Sequence, residues 1–187
     1  MKATPCGMLL VRSLMLLFFI LGAIAAPADE PGVRASLQSP NQRKPAPEFV
    51  LNDSSGKEMS VRDYRGKVLL LDFWATWCHG CKQEIPWFAE FQRKYAAKGL
   101  DVAGISLDQE GWTVVREFIS SAKVPYRIVL GDDTVAKNYG IENLPDTFLI
   151  DHDGKIAAAY MGLVNKSDVE ANIQKLLSRP GGKAPPK

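Results

Sequence analysis

Two cysteines three positions apart, Cys78 and Cys81, stand in the segment Trp74-Ala75-Thr76-Trp77-Cys78-His79-Gly80-Cys81-Lys82-Gln83-Glu84-Ile85-Pro86. An apolar run gives way there to a helical pattern, which puts Cys78 at or just before the first helical residue. Free backbone N–H groups and the helix dipole favour a thiolate at that place, and a lowered pKa makes a thiol useful at neutral pH. Cys81 lies one turn along on the same face. Such a pair at a helix start meets the distance limits of a disulfide with little movement. Cys78 is therefore expected to attack a target disulfide and Cys81 to resolve the mixed disulfide. The alternatives are an inert bridge and a zinc half-site. Closing so short a loop is worth only about 2 kcal/mol, and His79 and His152 are the only histidines that could complete a metal site, so no metal is expected.

Asp72 interrupts the apolar run Val68-Leu69-Leu70-Leu71-Asp72-Phe73-Trp74, six residues before Cys78. A buried carboxyl has a raised pKa and is suited to move a proton to or from Cys81; the structural alternative is an acid paired with a core-facing lysine or a water. His79, when protonated, would stabilise the Cys78 thiolate and make the bridge more oxidising, against the alternative of a solvated neutral imidazole. Glu84 is one turn beyond Cys81, and its alternative is a solvated helix acid. Pro145 precedes the strand pattern Thr147-Phe148-Leu149-Ile150; by base rate an X-Pro bond is trans. Trp74, Trp77, Trp87 and Phe88 read as core and site wall.

These residues need elements to hold them. Residues 49–61 suggest a hairpin, and Val68–Trp74 is apolar on both faces, as expected of a central strand. A helix is predicted over residues 78–98, with Ile85, Phe88, Phe91, Gln92 and Tyr95 on one face, Pro86 kinking it and Gly99 ending it. Strands are expected at 102–107, 126–130, 147–150 and 156–161, and helices at 112–122, 133–139 and 166–177. Ser167 or Asn165 is the candidate cap of the last helix. The order ββ–β–α–β–α–β–α–β–β–α implies a three-layer α/β sandwich around a mixed sheet.

The chain has 187 residues, 46% hydrophobic and 24% charged, with a formal net charge of +2. That composition excludes disorder, collagen and coiled coil, and the charge offers no basic field for nucleic acid. Residues 1–25 carry Lys2 and Arg12 around an uncharged run, Leu14 to Ala26, ending in the small-x-small pattern Ala23-Ile24-Ala25. They read as an export signal, with an uncleaved anchor as the alternative. Cys6 belongs to that leader, so the processed chain keeps only Cys78 and Cys81, and 21 basic residues balance 21 acidic ones. Five prolines in residues 26–47 mark a flexible linker over 26–45. A single domain is expected over 46–178 and a disordered tail over 179–187.

The pieces 69–86 (L-L-L-D-F-W-A-T-W-C-H-G-C-K-Q-E-I-P), 140–151 (G-I-E-N-L-P-D-T-F-L-I-D) and 153–156 (D-G-K-I) resemble the thioredoxin superfamily. More closely, they resemble its TlpA/ResA/DsbE (CcmG) group of exported thiol-disulfide oxidoreductases, over roughly residues 46–178. The resemblance implies Cys78 as nucleophile, Cys81 as resolving thiol, Asp72 as buried acid and Glu84 as the group's acid three residues after the second cysteine. It implies a cis Leu144–Pro145 bond facing the cysteines and docking substrate backbone beside Trp77. Asp146 is similar to the acid of the cytochrome-maturation branch, and residues 112–130 match the group's central helix-strand insertion. No cofactor beyond the Cys78–Cys81 disulfide is implied. The implied partners are disulfide-bearing exported proteins, apocytochrome c included, and a membrane thiol-disulfide electron donor, in the bacterial periplasm or at the outer face of the cytoplasmic membrane. Gly80 stands where many members carry proline, and His79 also departs from the usual choice; both bear on the redox potential and the direction of electron flow.

Two other functions fit parts of the pattern. A peroxiredoxin-like peroxidase expects threonine three residues before its reactive cysteine, where this chain has Ala75. A Cu(I)-handling assembly protein would use Cys78 and Cys81 as soft thiolates, but no neighbouring methionine or third histidine completes that set.

Overall fold

All seven residues of the run Val68–Trp74 are buried, because this strand lies in the middle of a sheet with packed layers on both faces. The computed structural model describes residues 31–178; the expected leader, the first part of the linker and the expected tail lie outside the described residues. In chain order the elements are β1 (Val50–Asn52), β2 (Glu58–Ser60), β3 (Val68–Trp74), α1 (His79–Tyr95), β4 (Leu100–Ser106), α2 (Trp112–Ser121), β5 (Arg127–Leu130), α3 (Asp133–Tyr139), β6 (Asp146–Ile150), β7 (Ile156–Met161) and α4 (Lys166–Leu177). Short 3-10 turns cover Val61–Tyr64 and Ala96–Lys98.

The main sheet has the order β5-β4-β3-β6-β7. β3, β4 and β5 are parallel, while β6 runs antiparallel to both β3 and β7. β1 and β2 form a separate hairpin. Side-chain alternation splits β3 between two cores. Val68, Leu70 and Trp74 pack with α1, α4 and Val115 of α2. Leu69, Leu71 and Phe73 pack with the hairpin region and with Val135 and Tyr139 of α3. This is the expected three-layer α/β sandwich, with α2 and β5 as its central insertion.

The local signals act as expected at most ends. The Asp132 side chain accepts from Val135 N–H to cap α3, and the Asn165 side chain accepts from Asp168 N–H to cap α4. α1 runs through Pro86, which is exposed, and passes into the 3-10 turn before Gly99. β4 starts two residues earlier than the apolar pattern predicts, at Leu100, which is fully buried beside Val68.

The expected flexible linker is corrected where the structure describes it. Residues 33–46 are docked along β7 and the loop that follows it. Val33 pairs in parallel with Val164, Gln38 N–H donates to Ala157 O, and Lys44 O accepts from Ile156 N–H. Arg43 is buried and pairs with Asp151 at 2.8 Å. β7 is an edge strand with unpaired backbone groups, and the preceding chain covers it. The prolines interrupt this pairing into isolated bridges without preventing it.

Candidate active site

β3 ends at Trp74 and α1 begins at His79, so four residues carry the chain from the sheet into the helix. Asp108 fixes this connector: its carboxylate accepts from the Thr76 N–H and hydroxyl and from the Ser106 hydroxyl. Asp108 is buried just past the end of β4, at the C-terminal edge of the parallel strands. The sequence pattern does not single it out, although an acid directly after a strand at that edge is a positional signal.

The connector delivers Cys78 to the N-cap of α1, where its sulfur accepts from the Cys81 N–H at 3.1 Å. Cys78 and Cys81 are joined as a disulfide with Cα atoms 5.3 Å apart. The two sulfurs are not equivalent to an incoming thiol. Cys78 keeps 5% of its surface and Cys81 none. The helix N-terminus favours a thiolate on Cys78.

Over this pair lies the cis Leu144–Pro145 bond. A Cβ added at Gly80 would stand 3.2 Å from Pro145 Cδ, so glycine lets the proline ring approach the helix start. Trp77 is 66% exposed at the rim, and His79 is exposed as the first residue of α1. Beside Pro145 a cavity of about 320 Å³ is lined by Gly140, Glu142, Asn143, Asp146, Met161 and Gly162.

Buried carboxyl groups lie between the sheet and α1, on the side of the sheet that packs against the disulfide. Asp72 shares the face of β3 that carries Leu70 and Trp74, opposite Gly104 and Thr147 in the sheet register. It is fully buried, and neither of its oxygens has a hydrogen-bond partner among the described residues. Burial pushes its pKa well above the usual carboxylate range, and the nearby Glu84 and Asp146 carboxyls push it further. Glu84 is also fully buried, which corrects the alternative of a solvated helix acid. Its Oε1 accepts from Val164 N–H at 2.6 Å. Burial raises the Glu84 pKa to about 8; the Val164 N–H opposes that rise and Asp146 adds to it. Asp146 is pushed up to about 6 by burial, eased by the Gly162 N–H and raised again by Glu142. The Tyr126 phenol, its hydroxyl without a partner among the described residues, is pushed well above its ordinary value by burial and then by Asp72 and Glu84.

The structure thus brings together Cys78, Gly80, Cys81, Pro145 and Trp77 around the start of α1, with Trp77 exposed and Cys81 and Pro145 buried, and places Asp72 and Glu84 on the inner side of that helix. Glu84, Asp146 and the unforeseen Tyr126 belong to one electrostatic group with Asp72. Among the described residues no group of three or more His, Cys, Asp or Glu side chains is placed to hold a metal ion.

The AhpC/TSA family pattern matches residues 43–159. The thiol-disulfide oxidoreductase ResA of Bacillus thuringiensis subsp. konkukian (strain 97-27) is 36% identical over 135 residues, 71% of this chain and 77% of that protein. ResA of Bacillus subtilis (strain 168) is 33% identical over 150 residues, 80% of this chain and 82% of that protein. A crystal structure from Chlorobium tepidum, described as a thiol:disulfide interchange protein DsbE, superposes with a TM-score of 0.67 at 32% identity, covering 76% of this chain and 100% of that one.

Proposed function

The chain belongs to the AhpC/TSA family as a thiol-disulfide oxidoreductase of thioredoxin-like fold, and we propose that it reduces disulfides of exported proteins, apocytochrome c among the candidates. The observation that carries this reading is the asymmetry of the pair: of the two cysteines Cys78 alone keeps solvent-accessible surface, and Cys81 is fully buried on the inner face of α1 that also carries the buried Glu84. The Cys78 thiolate attacks one sulfur of the substrate disulfide and forms a mixed disulfide, expelling the other sulfur as a thiolate that takes a proton from water. Cys81 then loses its proton, attacks the Cys78 sulfur and releases the first substrate sulfur as a thiolate, which is protonated in turn. The substrate gains two electrons and two protons, and Cys78–Cys81 is left oxidised.

In this mechanism Asp72 and Glu84 take the Cys81 proton. A free thiol has a pKa of about 8.5 and an ordinary glutamate about 4.3, which is too weak a base for it. At about 8, Glu84 is matched to that thiol. Burial also disfavours the Cys81 thiolate relative to the disulfide, which lowers the potential and supports the reducing direction. Trp77, Leu144 and Pro145 dock the substrate backbone, with the neighbouring cavity accepting a flanking side chain, and exposed His79 and Gly80 tune the potential. No cofactor beyond the disulfide takes part. Residues 1–25 direct the chain across the membrane and are then removed or kept as an anchor, and a membrane thiol donor returns Cys78–Cys81 to the dithiol. No helix among the described residues is long and apolar enough to cross a membrane.

The test is Cys81→Ser expressed in cells, which should accumulate exported proteins disulfide-linked to Cys78, together with a redox titration of the parent chain. Recovery of no linked partner sinks substrate reduction. A potential well above roughly −180 mV reverses the direction to oxidation. Peroxide consumption that survives Cys81→Ser would point to a peroxidase instead.

A further inference from the structure

The Glu84 carboxyl has one protein hydrogen bond among the described residues, from the Val164 N–H in the loop between β7 and α4. That loop is held from outside by the start of the docked segment. Val33 N–H donates to Leu163 O at 2.7 Å, and Val33 O accepts from Asn165 N–H at 2.9 Å. In a parallel bridge of this kind the flanking residues face the partner, and the N–H and C=O of the central residue, here Val164, point the opposite way. The opposite way is inward, to Glu84. Gly32 completes the clamp. Its φ is +133°, and a Cβ there would lie 2.5 Å from Val164 C and O and 2.6 Å from Asn165 N. Backbone lies directly on backbone, and only glycine permits it. The segment is anchored further along, since Ala35 N–H donates to Asp168 and Ala35 O accepts from Asn172 Nδ2. The same loop reaches the substrate-docking side, where Gly162 N–H donates to Pro145 O at 2.8 Å.

We propose that Gly32 and Val33 are positioning residues for the oxidoreductase chemistry, holding the Val164 N–H on the Glu84 carboxyl from outside the domain. This rests on the proton-accepting role proposed for Glu84. The charged and titratable groups facing that carboxyl are Asp72 from β3, Asp146 from β6, Tyr126 ahead of β5, and Cys81 one turn back on α1 when the disulfide is open. Among the described residues no cation is placed there, and the Val164 N–H is the contact that favours the ionised form. Loosening the clamp lets Glu84 keep its proton to higher pH.

The test uses the full chain carrying Gly32→Ala, Val33→Pro or the conservative Val33→Ile. Gly32 and Val33 are exposed, so the core is left intact in all three. Carboxyl-carbon NMR of the oxidised protein reads the Glu84 titration midpoint directly. The midpoint should rise by about one pH unit in Gly32→Ala and Val33→Pro, the scale of one lost charge-assisted hydrogen bond. It should stay in place in Val33→Ile, which keeps both backbone bonds. The pH at which the resolving step reaches half its maximal rate should move upward with it, and this movement should vanish when Gly32→Ala is combined with Glu84→Gln. An unmoved Glu84 midpoint in both Gly32→Ala and Val33→Pro overturns the clamp. A resolving-step profile that Glu84→Gln alone leaves unchanged overturns the role of Glu84 instead, so the two failures are distinguishable.

Discussion

Replacing Glu84 by glutamine should change the sign of its effect on stability as pH rises. Glu84 titrates at about 8 in the folded chain and at the ordinary 4.5 when unfolded. Below pH 4.5 both states hold the proton and the group costs nothing. Between 4.5 and 8 the unfolded chain releases the proton while the folded one keeps it, so stability falls with pH and levels off above 8. At 1.36 kcal/mol per pH unit that span amounts to roughly 5 kcal/mol by pH 9. Glutamine removes this term but buries an amide N–H₂ with no acceptor in place, at about 2 kcal/mol. Glu84→Gln should therefore be less stable than the parent by about 2 kcal/mol at pH 4, equal near pH ~6, and more stable by about 3 kcal/mol at pH 9. Asp72 and Asp146 are also raised and steepen the fall in both proteins, and because Glu84 adds to the Asp72 shift, the difference curve reads Glu84 together with its effect on Asp72. Urea unfolding of the oxidised chain, in which neither cysteine titrates, supplies that curve. Two parallel stability profiles would refute the claim that Glu84 is buried and neutral at neutral pH.

Two further predictions test the frame around the site. Arg43→Ala leaves Asp151 Oδ2 buried without its 2.8 Å partner and should cost about 3 kcal/mol in denaturant unfolding, where a loose linker would give no change. Gly104→Ala places a Cβ 2.6 Å from Ile128 Cδ1 and 2.9 Å from Trp74 Nε1, on the face of the sheet that carries Asp72; it should lower stability by about 1–3 kcal/mol, and a neutral result would mean the sheet has more room there than its packing shows.

The sheet and the cysteine pair were legible because their signals are local. V-L-L-L-D-F-W reads as a doubly covered strand, and the cysteines follow it into a helix start. α3, β7 and α4 lie where period and caps predict them. The burial of Glu84 was also written in the chain: continuing the face of Ile85 and Phe88 back by one turn gives Cys81 and Glu84, all four of which are buried. An acid at an apolar position reads as solvated unless the whole i, i+3, i+4, i+7 series is followed. The docking of residues 33–46 had no such signal. Its partner is the outer edge of β7, which becomes an edge only once the order β5-β4-β3-β6-β7 is set by contacts distant in sequence. Asp108 was missed for a similar reason, since its partners Thr76 and Ser106 come from two different strands' ends.

Among the described residues the buried acids Asp72 and Glu84 have no counter-charge, and that sets them apart from a structural ion pair. The buried Asp151 has Arg43 against it, so the fold can pair an interior carboxylate. Asp72 has no hydrogen-bond partner among the described residues, and Glu84 has one backbone N–H. A lysine or arginine beside either would hold its pKa near or below the usual carboxylate value. At neutral pH it would then be a fixed anion, poorly matched to a thiol. Without one, burial raises both, and brings Glu84 to about 8, into the range where a cysteine gives up its proton. The stability given up at neutral pH is thus the same property the proposed proton transfer needs, and a substitution that restores the stability should slow the resolving step.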